Sequence, residues 1–337
     1  MDVTTPKPSQ EEPSILNDRL ASRNIGLDLV RVTEAAALAA GRWIGSGNYA
    51  AAHAAATEAM ANMLLTLGID GCIAIGEDRL IDGVAPLCER TVFGPGRVPC
   101  DLAVDPIDGT RLLVEGKPGA ISVVAVAPRH SIWSTGPAEY LDKIVVDRDA
   151  APLLVPECMD APAAWTLALI ARAKKKAVRD LVVVVLQRVR HYELIEEIRA
   201  TGARILLREE GDAEGALVAA TPGTGVDVLM GVGGASQGAL AACAVRALRG
   251  GMLARLAPQS AEEQAAVAQA GLDTKRVMTI DELVTGDDIF FAATGVTDSS
   301  LLPGITYQGG RAETHSLLIR AKTKTRRFIQ AEHTLEE

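Results

Sequence analysis

An acidic turn with the sequence Asp-Pro-Ile-Asp-Gly-Thr, at residues 105–110, follows the apolar run 102–104 and constrains both fold and chemistry. Proline fixes its own φ and disfavours helix for the residue before it, so Asp105 is predicted to end a strand and the next residues to enter a bend. Gly109 lets a backbone N–H approach an anion closely. Two aspartates with a carbonyl between them suit a hard cation such as Mg²⁺ or Mn²⁺, and the following amides suit a phosphate. The turn therefore predicts metal-assisted hydrolysis of a phosphate ester.

The same turn has a simpler interpretation, because Asp, Pro and Gly are common turn formers and the segment could be only a connection. A second carboxylate favours the site. Glu77 follows another apolar run, Cys72–Gly76, and carboxylates at strand ends commonly converge at the rim of a sheet. We therefore expect Glu77 and the two aspartates of the turn to lie near one another.

Length and composition indicate a globular protein. At 337 residues with 48% hydrophobic content, the chain is long enough for two packed lobes. No run reaches the roughly 18 apolar residues of a membrane helix, and the start of the chain lacks an apolar signal segment, so a cytoplasmic location without a membrane partner is expected. The 5 cysteines have no CxxC spacing, which favours neither a zinc knuckle nor a disulfide framework.

The charge of the chain argues against a nucleic-acid partner. The net charge is -9, and aromatic residues make up only 3% of the sequence, so stacking platforms for bases are scarce. The one basic cluster, Lys174–Lys176, is short and has no interleaved aromatics. It is better interpreted as a solvated helix face.

The periodicity of apolar residues predicts an α/β protein of two lobes after a flexible tail at residues 1–22. In the first part, helical spacing covers Leu27–Trp43 and Ala50–Leu67. Short β-type runs follow at residues 71–76, 101–105 and 120–127. Helices combined with a sheet that holds both acidic strand ends predict an α+β metal-binding lobe over residues 23–150.

Residues 151–337 show strands and helices in alternation, which is typical of an α/β lobe and is predicted here to bind the substrate. The continuous apolar run Val182–Val185 is typical of a strand covered on both faces. The predicted strands of this lobe are Leu181–Leu186, Ala203–Leu207, Val226–Val232, Asp288–Thr294 and His315–Ala321, and its predicted helices are His191–Ala200 and Ser236–Leu248.

Several further stretches agree with one known family in their order along the chain. They are Arg31-Val-Thr-Glu-Ala-Ala-Ala-Leu, Gly76-Glu77, the 105–110 turn, Tyr140-Leu-Asp-Lys143, Arg190-His191, Gly211-Asp212, Gly231-Val-Gly-Gly-Ala-Ser-Gln-Gly238 and Ala293-Thr-Gly-Val. From about Gly26 to its end, the chain resembles the class II fructose-1,6-bisphosphatases, including the cyanobacterial type that also acts on sedoheptulose-1,7-bisphosphate. The glycine-rich stretch, taken alone, is a weak dinucleotide-like signal and is better interpreted as a strand-to-helix turn.

The resemblance implies the lithium-sensitive phosphatase fold, layered α-β-α-β-α, with the active site between the lobes. It implies that a metal-activated water attacks the 1-phosphate of a sugar bisphosphate and that the chain forms a homodimer or homotetramer. The implied metal ligands, for Mg²⁺ or Mn²⁺, are Glu77, Asp105, Asp108 and the Ile107 carbonyl, and the implied catalytic residues are Thr110, which orients the attacking water, Asp105 and Glu77. The implied substrate contacts are Gly109, Thr110 and Arg111 for the departing phosphate, and Tyr140, Arg188, Arg190, Glu210 and Asp212 for the sugar and its second phosphate.

The implied substrate contacts have chemical support and alternatives. Arginine forks match phosphate oxygens, and acidic residues accept hydrogen bonds from sugar hydroxyls. Arg188 and Arg190 follow a predicted buried strand, however, so a structural ion pair is an alternative for both. Tyr140 could equally be a core residue with a solvated hydroxyl.

The chain departs from the family pattern at charged positions. After Gly45-Ser-Gly47 the family carries a lysine and then an aspartate, where this chain has Tyr49 and His53, and a family glutamate is replaced by Gln237. The acidic loop after Glu77 is also one residue longer, and the segment after about residue 256 is shorter. Of five expected metal-binding carboxylates, three remain.

These departures leave three hypotheses open. Hard cations depend on the charge of their ligands, so fewer carboxylates should weaken binding of the outer metals. In the first hypothesis the protein is a working sugar bisphosphatase in which His53 is a ligand that favours Mn²⁺, Zn²⁺ or Co²⁺, and Gln237 retains an oxygen without its charge. In the second, the same fold hydrolyses another phosphomonoester, such as an inositol phosphate or a nucleotide 3′-phosphate. In the third, the protein binds sugar phosphate, or assembles with an active paralogue, without turnover.

Overall fold

A computed structural model describes residues 15–77, 81, 83–96 and 98–335, with side chains from residue 25 onward. The helices are α1 (Ile15–Gly41), α2 (Tyr49–Leu64), α3 (Thr110–Val114), α4 (Ala163–Lys174), α5 (Tyr192–Ala200), α6 (Asp212–Ala220), α7 (Ala235–Leu248), α8 (Ala261–Gln269) and α9 (Ile280–Leu283). The strands are β1 (Asp70–Ile75), β2 (Val92–Phe93), β3 (Pro99–Asp108), β4 (Ile121–Pro128), β5 (Tyr140–Val146), β6 (Val182–Leu186), β7 (Arg204–Arg208), β8 (Val228–Gly234), β9 (Gly251–Leu256), β10 (Met278–Thr279), β11 (Phe290–Gly295), β12 (Thr306–Gln308), β13 (Arg311–Arg320) and β14 (Thr325–Thr334). The predicted α/β fold class is confirmed.

The first sheet places the two acidic strand ends side by side. Its strands run in the order β12-β13-β11-β4-β3-β1-β2, and β14 pairs with the remaining side of β13. β1 and β3 are parallel neighbours, with Asp70 opposite Pro99 and Ile73 opposite Leu102. The carboxyl ends of parallel strands meet at one edge of a sheet, so the residues that follow β1 come close to the end of β3.

The second sheet has the order β10-β9-β5-β8-β6-β7 and contains both parallel and antiparallel pairs. The sheets divide the chain differently from the predicted lobes at 23–150 and 151–337. β5 precedes residue 151 but pairs with β8 and β9, and β11 to β14 return to the first sheet through antiparallel pairing of β11 with β4. Sheet membership depends on these long-range hydrogen bonds, which the local apolar pattern does not encode.

Three hydrophobic clusters give the fold five layers. α1 and α2 pack on the outer face of the first sheet, where Leu29, Ala52 and Leu102 belong to one hydrophobic cluster. α6 and α7 fill the space between the two sheets, and α4 and α5 cover the outer face of the second sheet. The observed order of layers is therefore α-β-α-β-α, which leaves the strand ends of both sheets facing a common cleft.

Some predicted boundaries need correction. α1 begins at Ile15, so residues 15–22 lie in a helix rather than in a flexible tail, while residues 1–14 and most of the acidic loop at 78–82 lie outside the described residues. β3 continues through the acidic turn to Asp108, and its pairing with β4 is irregular between Asp105 and Asp108. In the part of the chain that the structure describes, no helix combines the length and the apolar character needed to cross a membrane.

Candidate active site

A cavity of about 380 Å³ lies between the ends of the two sheets and gathers nearly all the predicted site residues. Its volume falls in the range of small-molecule pockets. The predicted residues that line it are His53, Glu77, Asp105, Ile107, Asp108, Gly109, Thr110, Tyr140, Arg188, Arg190, Glu210, Asp212 and Gln237. Of the predicted set, only Arg111 is not part of this lining.

The acidic turn folds back on itself through its own backbone. Asp105 is buried, and its Oδ1 accepts a hydrogen bond from the Ile107 N–H at 3.0 Å. The Thr110 hydroxyl donates to the Ile107 carbonyl at 3.1 Å. Gly109 precedes α3 with φ at 88°, a left-handed conformation that glycine adopts without steric cost. Because the hydroxyl hydrogen of Thr110 is used within the turn, its oxygen lone pairs remain to accept from a water in the cavity.

The carboxylates of the turn are electrostatically unfavourable in their charged form. Burial raises the pKa of Asp105 well above its usual range, and the nearby charges of Glu77 and Asp108 raise it further. Burial also raises the pKa of Asp108, to about 7, although the Glu214 N–H donates to its Oδ2 at 2.8 Å and opposes the shift. A bound cation would favour the ionised carboxylates and reverse these shifts.

The side chain of Glu77 is in direct contact with a histidine. His53 lies on α2, is buried, and places its Nε2 2.6 Å from Glu77 Oε2. The other ring nitrogen lies 3.2 Å from the Thr57 hydroxyl. Tyr49, one turn earlier on the helix, stacks on the His53 ring with centroids 6.2 Å apart. The histidine that replaces the expected aspartate therefore contacts a predicted metal ligand directly.

Gln237 occupies the corresponding place beside Asp105. Its amide Nε2 lies 3.5 Å from Asp105 Oδ2, at the limit of hydrogen bonding. The residue stands in the first turn of α7, directly after β8. His53 and Gln237 thus each place a nitrogen against an oxygen of the acidic cluster.

Asp212, which lines the cavity, forms a buried ion pair with a lysine behind it that was not predicted from the sequence. Lys143 is fully buried on β5, and its Nζ lies 2.6 Å from Asp212 Oδ2 at the start of α6. A Cβ at Gly233 would overlap the Asp212 carboxylate, so glycine is required there for the pair to form. The available signal was a lysine directly before the apolar residues Ile144–Val146 of a strand, because an unpaired buried ammonium is strongly unfavourable.

The two arginines line the cavity without forming ion pairs among the described residues. The Arg190 guanidinium lies 5.0 Å from the centre of the Tyr140 ring, and it donates to the Val232 carbonyl at 3.1 Å. Arg188 donates to the carbonyl of its neighbour Gln187 at 3.1 Å. The alternative of a structural ion pair therefore has no support in the described part of the chain, and both guanidinium groups keep donors for an anionic ligand.

The predicted phosphate cradle is partly occupied by the protein itself. The Arg111 side chain donates from Nε to Glu115 at 2.8 Å, along the surface of α3. Its backbone N–H donates to Glu210 Oε2 at 3.1 Å. The Glu210 carboxylate therefore accepts the hydrogen bond of the N–H group that the resemblance assigns to the departing phosphate. Glu210 must move before a phosphate can bind to that N–H group.

Glu210→Ala should strengthen inhibition by inorganic phosphate about three- to tenfold, because it removes a carboxylate that competes for the Arg111 N–H. The inhibition constant for phosphate in a steady-state assay gives the measurement. Glu209→Ala is the matched control, since Glu209 pairs with Lys117 at 2.6 Å and does not line the cavity. Equal effects of the two substitutions would contradict this assignment.

The donor atoms of the turn fit a hard divalent cation. Within the described residues, no group of three or more His, Cys, Asp or Glu side chains is arranged to hold a metal ion by itself. Mg²⁺ is usually bound by one or two carboxylates, with waters and phosphate oxygens completing the octahedron. Asp105, Asp108 and the Ile107 carbonyl offer such oxygens. Burial, followed by the charges of Glu77 and Asp108, raises the pKa of Asp105, and a bound cation would oppose that shift.

Comparison with known proteins identifies the family of the chain. The family model described as bacterial fructose-1,6-bisphosphatase, glpX-encoded, matches residues 23–333. The chain belongs to this family. It is 37% identical over 332 residues to the fructose-1,6-bisphosphatase class 2 of Haemophilus influenzae, covering 94% of this chain and 98% of that protein. It is 35% identical over 328 residues to the fructose-1,6-bisphosphatase 1 class 2 of Escherichia coli K12, covering 93% and 96%.

The region of the chain that matches the family model includes the residues that line the cavity. The matched region begins before α2, which carries His53, and ends within β14, so it includes every predicted site residue. Tyr49, His53 and Gln237, where a departure from the family pattern is predicted, therefore lie inside the matched region.

Proposed function

We propose that the protein hydrolyses the 1-phosphate of fructose-1,6-bisphosphate to fructose-6-phosphate and phosphate, with a divalent metal ion as cofactor. The observation that carries the proposal is a single cavity with a buried carboxylate turn on one wall and an arginine-tyrosine pair on the other. A sugar bisphosphate has a reacting phosphate, which needs the carboxylate turn and its metal, and a distal phosphate, which needs the arginines. The full-length similarity to class 2 fructose-1,6-bisphosphatases supports this substrate.

The residues divide the reaction between the two walls. When bound, the metal supplies positive charge to the reacting phosphate and lowers the pKa of a nearby water. Thr110 accepts a hydrogen bond from the attacking water and so orients it, since its own hydrogen is held by the Ile107 carbonyl. Gly109 offers its backbone N–H to the phosphate, and Arg111 does the same once Glu210 has moved from its N–H. Asp212, held by Lys143, accepts from a sugar hydroxyl. Arg188 and Arg190 bind the distal phosphate.

Phosphate release by purified, metal-stripped protein tests the proposal. Fructose-1,6-bisphosphate is supplied with Mg²⁺, Mn²⁺ or Zn²⁺ in separate titrations, and sedoheptulose-1,7-bisphosphate, an inositol phosphate and a nucleotide 3′-phosphate are assayed alongside. We expect turnover of fructose-1,6-bisphosphate with at least one metal. Exclusive turnover of another phosphomonoester would replace the proposed substrate. Conversion of the seven-carbon substrate would add a role in carbon fixation to one in gluconeogenesis.

The His53 contact favours a second candidate, a sugar-phosphate-binding protein without turnover. His53 Nε2 already contacts an oxygen of Glu77, and Gln237 adds no negative charge next to Asp105. The site therefore has fewer free carboxylate oxygens to bind a metal ion. Silence with all three metals, together with measurable binding of fructose-1,6-bisphosphate by calorimetry, would support this candidate over the enzyme.

Arg190→Ala should raise the KM for fructose-1,6-bisphosphate about tenfold and leave kcat within about threefold, because the guanidinium is proposed to bind the phosphate that does not react. Steady-state kinetics measure both constants. Arg179→Ala, an exposed arginine between α4 and β6, is the matched control and should change neither. A large loss of kcat at unchanged KM would contradict the assigned role.

A further inference from the structure

The first sheet ends in a long strand whose outer side pairs with nothing in the part of the chain that the structure describes. β14, Thr325–Thr334, pairs with β13 in a continuous register from Thr325 opposite Arg320 to Thr334 opposite Arg311. The other terminal strands are much shorter: β2 and β10 have 2 residues each, β12 has 3 and β7 has 5. β14 has 10.

An edge strand of this length offers a row of N–H and C=O groups to another strand. Proteins usually shorten such edges, interrupt them with proline or bulges, or place charged side chains on them. The sequence Thr-Arg-Arg-Phe-Ile-Gln-Ala-Glu-His-Thr contains neither proline nor glycine, and its register has no irregularity. Phe328, in the middle of the strand, is 56% exposed. These features are typical of a strand that has a partner.

The charges of β14 are arranged to match a second copy of the same strand. Arg326 and Arg327 stand near one end of the strand, and Glu332 stands near the other. Antiparallel pairing of two copies brings opposite charges together, whereas parallel pairing would align like charges, which are unfavourable when directly opposite.

We propose that β14 pairs antiparallel with β14 of a second copy across a twofold axis at Ile329, which joins the first sheets of two chains into one continuous sheet. Such an interface is isologous, because each copy offers the same strand to the other. Arg326 of each copy lies opposite Glu332 of the other in this register. Phe328 lies opposite Gln330, and Ile329 lies opposite itself.

Neighbouring registers lack this match. A twofold axis at Gln330 would place Phe328 opposite Glu332, and an axis at Phe328 would place Arg326 opposite Gln330. A twofold axis midway between two residues would bring side chains of one sheet face opposite those of the other face. Only the register at Ile329 pairs both Arg326 residues with Glu332.

Contacts within one chain already hold both charges on the same face of the strand. The Arg326 guanidinium lies 5.3 Å from the centre of the Phe328 ring. Glu332 Oε1 accepts from Arg311 on the neighbouring strand at 3.0 Å. Arg326, Phe328 and Glu332 alternate with residues of the other face, so their side chains share one side of the sheet. The paired side chains would therefore need little reordering when two copies meet.

Sedimentation velocity of the full chain over a range of concentrations tests the proposal. The wild-type protein should sediment as an even-numbered oligomer. Arg326→Glu places a glutamate opposite Glu332 of the other copy, and this happens at two places in each interface. The variant should therefore associate about tenfold or more weakly, and its mass at low concentration should be half that of the wild type. Glu332→Arg should do the same, and the double variant Arg326→Glu/Glu332→Arg should restore the wild-type mass.

Arg327→Glu is the matched control, because it makes the same charge change on the same strand but lies opposite Ala331 in the proposed register. It should keep the wild-type mass. Circular dichroism verifies that each variant is folded; the substituted side chains are exposed, and loss of the exposed Arg311–Glu332 pair should cost little stability. A monomeric wild type, an unchanged mass for Arg326→Glu, or an Arg327→Glu variant that dissociates equally would overturn the proposal.

Discussion

Asp105→Asn should reduce phosphate release from fructose-1,6-bisphosphate by about a hundredfold or more, with every metal that supports wild-type turnover. Asp105 is a buried carboxylate that is close enough to Glu77 and Asp108 for both of their charges to raise its pKa. Asparagine preserves the shape of the side chain and an oxygen for the Ile107 N–H, but it removes the negative charge. The loss should therefore fall on metal binding and turnover rather than on folding.

The same substitution should make the metal-free protein more stable at neutral pH. Burial, followed by the charges of Glu77 and Asp108, raises the pKa of Asp105 well above its usual range. When the folded pKa of a carboxyl lies above its unfolded pKa of about 3.9, stability is lost as the pH rises through the interval between them. Asparagine does not ionise and avoids that loss. The gain in the melting temperature should shrink as the pH is lowered toward about 4.

Asp101→Asn provides the matched control for both effects. Asp101 is buried on the same strand, but its Oδ2 accepts from the Ser131 N–H at 2.9 Å and the Ile132 N–H at 3.2 Å, away from the cavity. We expect this variant to melt at a lower temperature while keeping most of its turnover per folded molecule. If Asp105→Asn kept wild-type rates, the assignment of the carboxylate cluster to the chemistry would fail.

The sequence predicted the contents of the cavity better than it predicted the division of the chain. The acidic turn and Glu77 were recognisable because each carboxylate follows an apolar run, and β1 and β3 do meet at one edge. β14 was not predicted, since four of its ten residues are charged or histidine and its alternation is weak. Its place is fixed by hydrogen bonds to β13, whose own position depends on β11. Pairing across such distances leaves no local pattern.

Side-chain partners were the other information that the sequence could not supply. Family resemblance placed His53 and Gln237 near the metal site but did not predict that each would direct a nitrogen at a carboxylate oxygen. It also placed Arg111 at the phosphate, whereas its guanidinium pairs with Glu115 along the surface of α3. Rotamers within a cluster depend on all of its members, so single positions do not determine them.

His53→Asp combined with Gln237→Glu should tighten binding of Mg²⁺ and Mn²⁺ about tenfold or more. Each substitution replaces a nitrogen donor with a carboxylate, next to Glu77 in one instance and Asp105 in the other. The affinity of hard cations rises with the charge of their ligands. Isothermal titration calorimetry of the metal-stripped protein gives the dissociation constants and the number of ions bound, and phosphate release from fructose-1,6-bisphosphate gives the turnover.

The added carboxylates should also lower the melting temperature of the metal-free double variant, because like charges then crowd a buried cluster, and metal should recover more stability than it does in the wild type. Gln264→Glu on the exposed face of α8 is the matched control for charge and should alter neither property. Unchanged metal affinity in the double variant would show that these two positions do not face the metal. If metal binds more tightly and Mg²⁺-dependent turnover rises, His53 and Gln237 are the residues that weaken this site. If metal binds more tightly but fructose-1,6-bisphosphate is not turned over, the substrate is a different phosphomonoester.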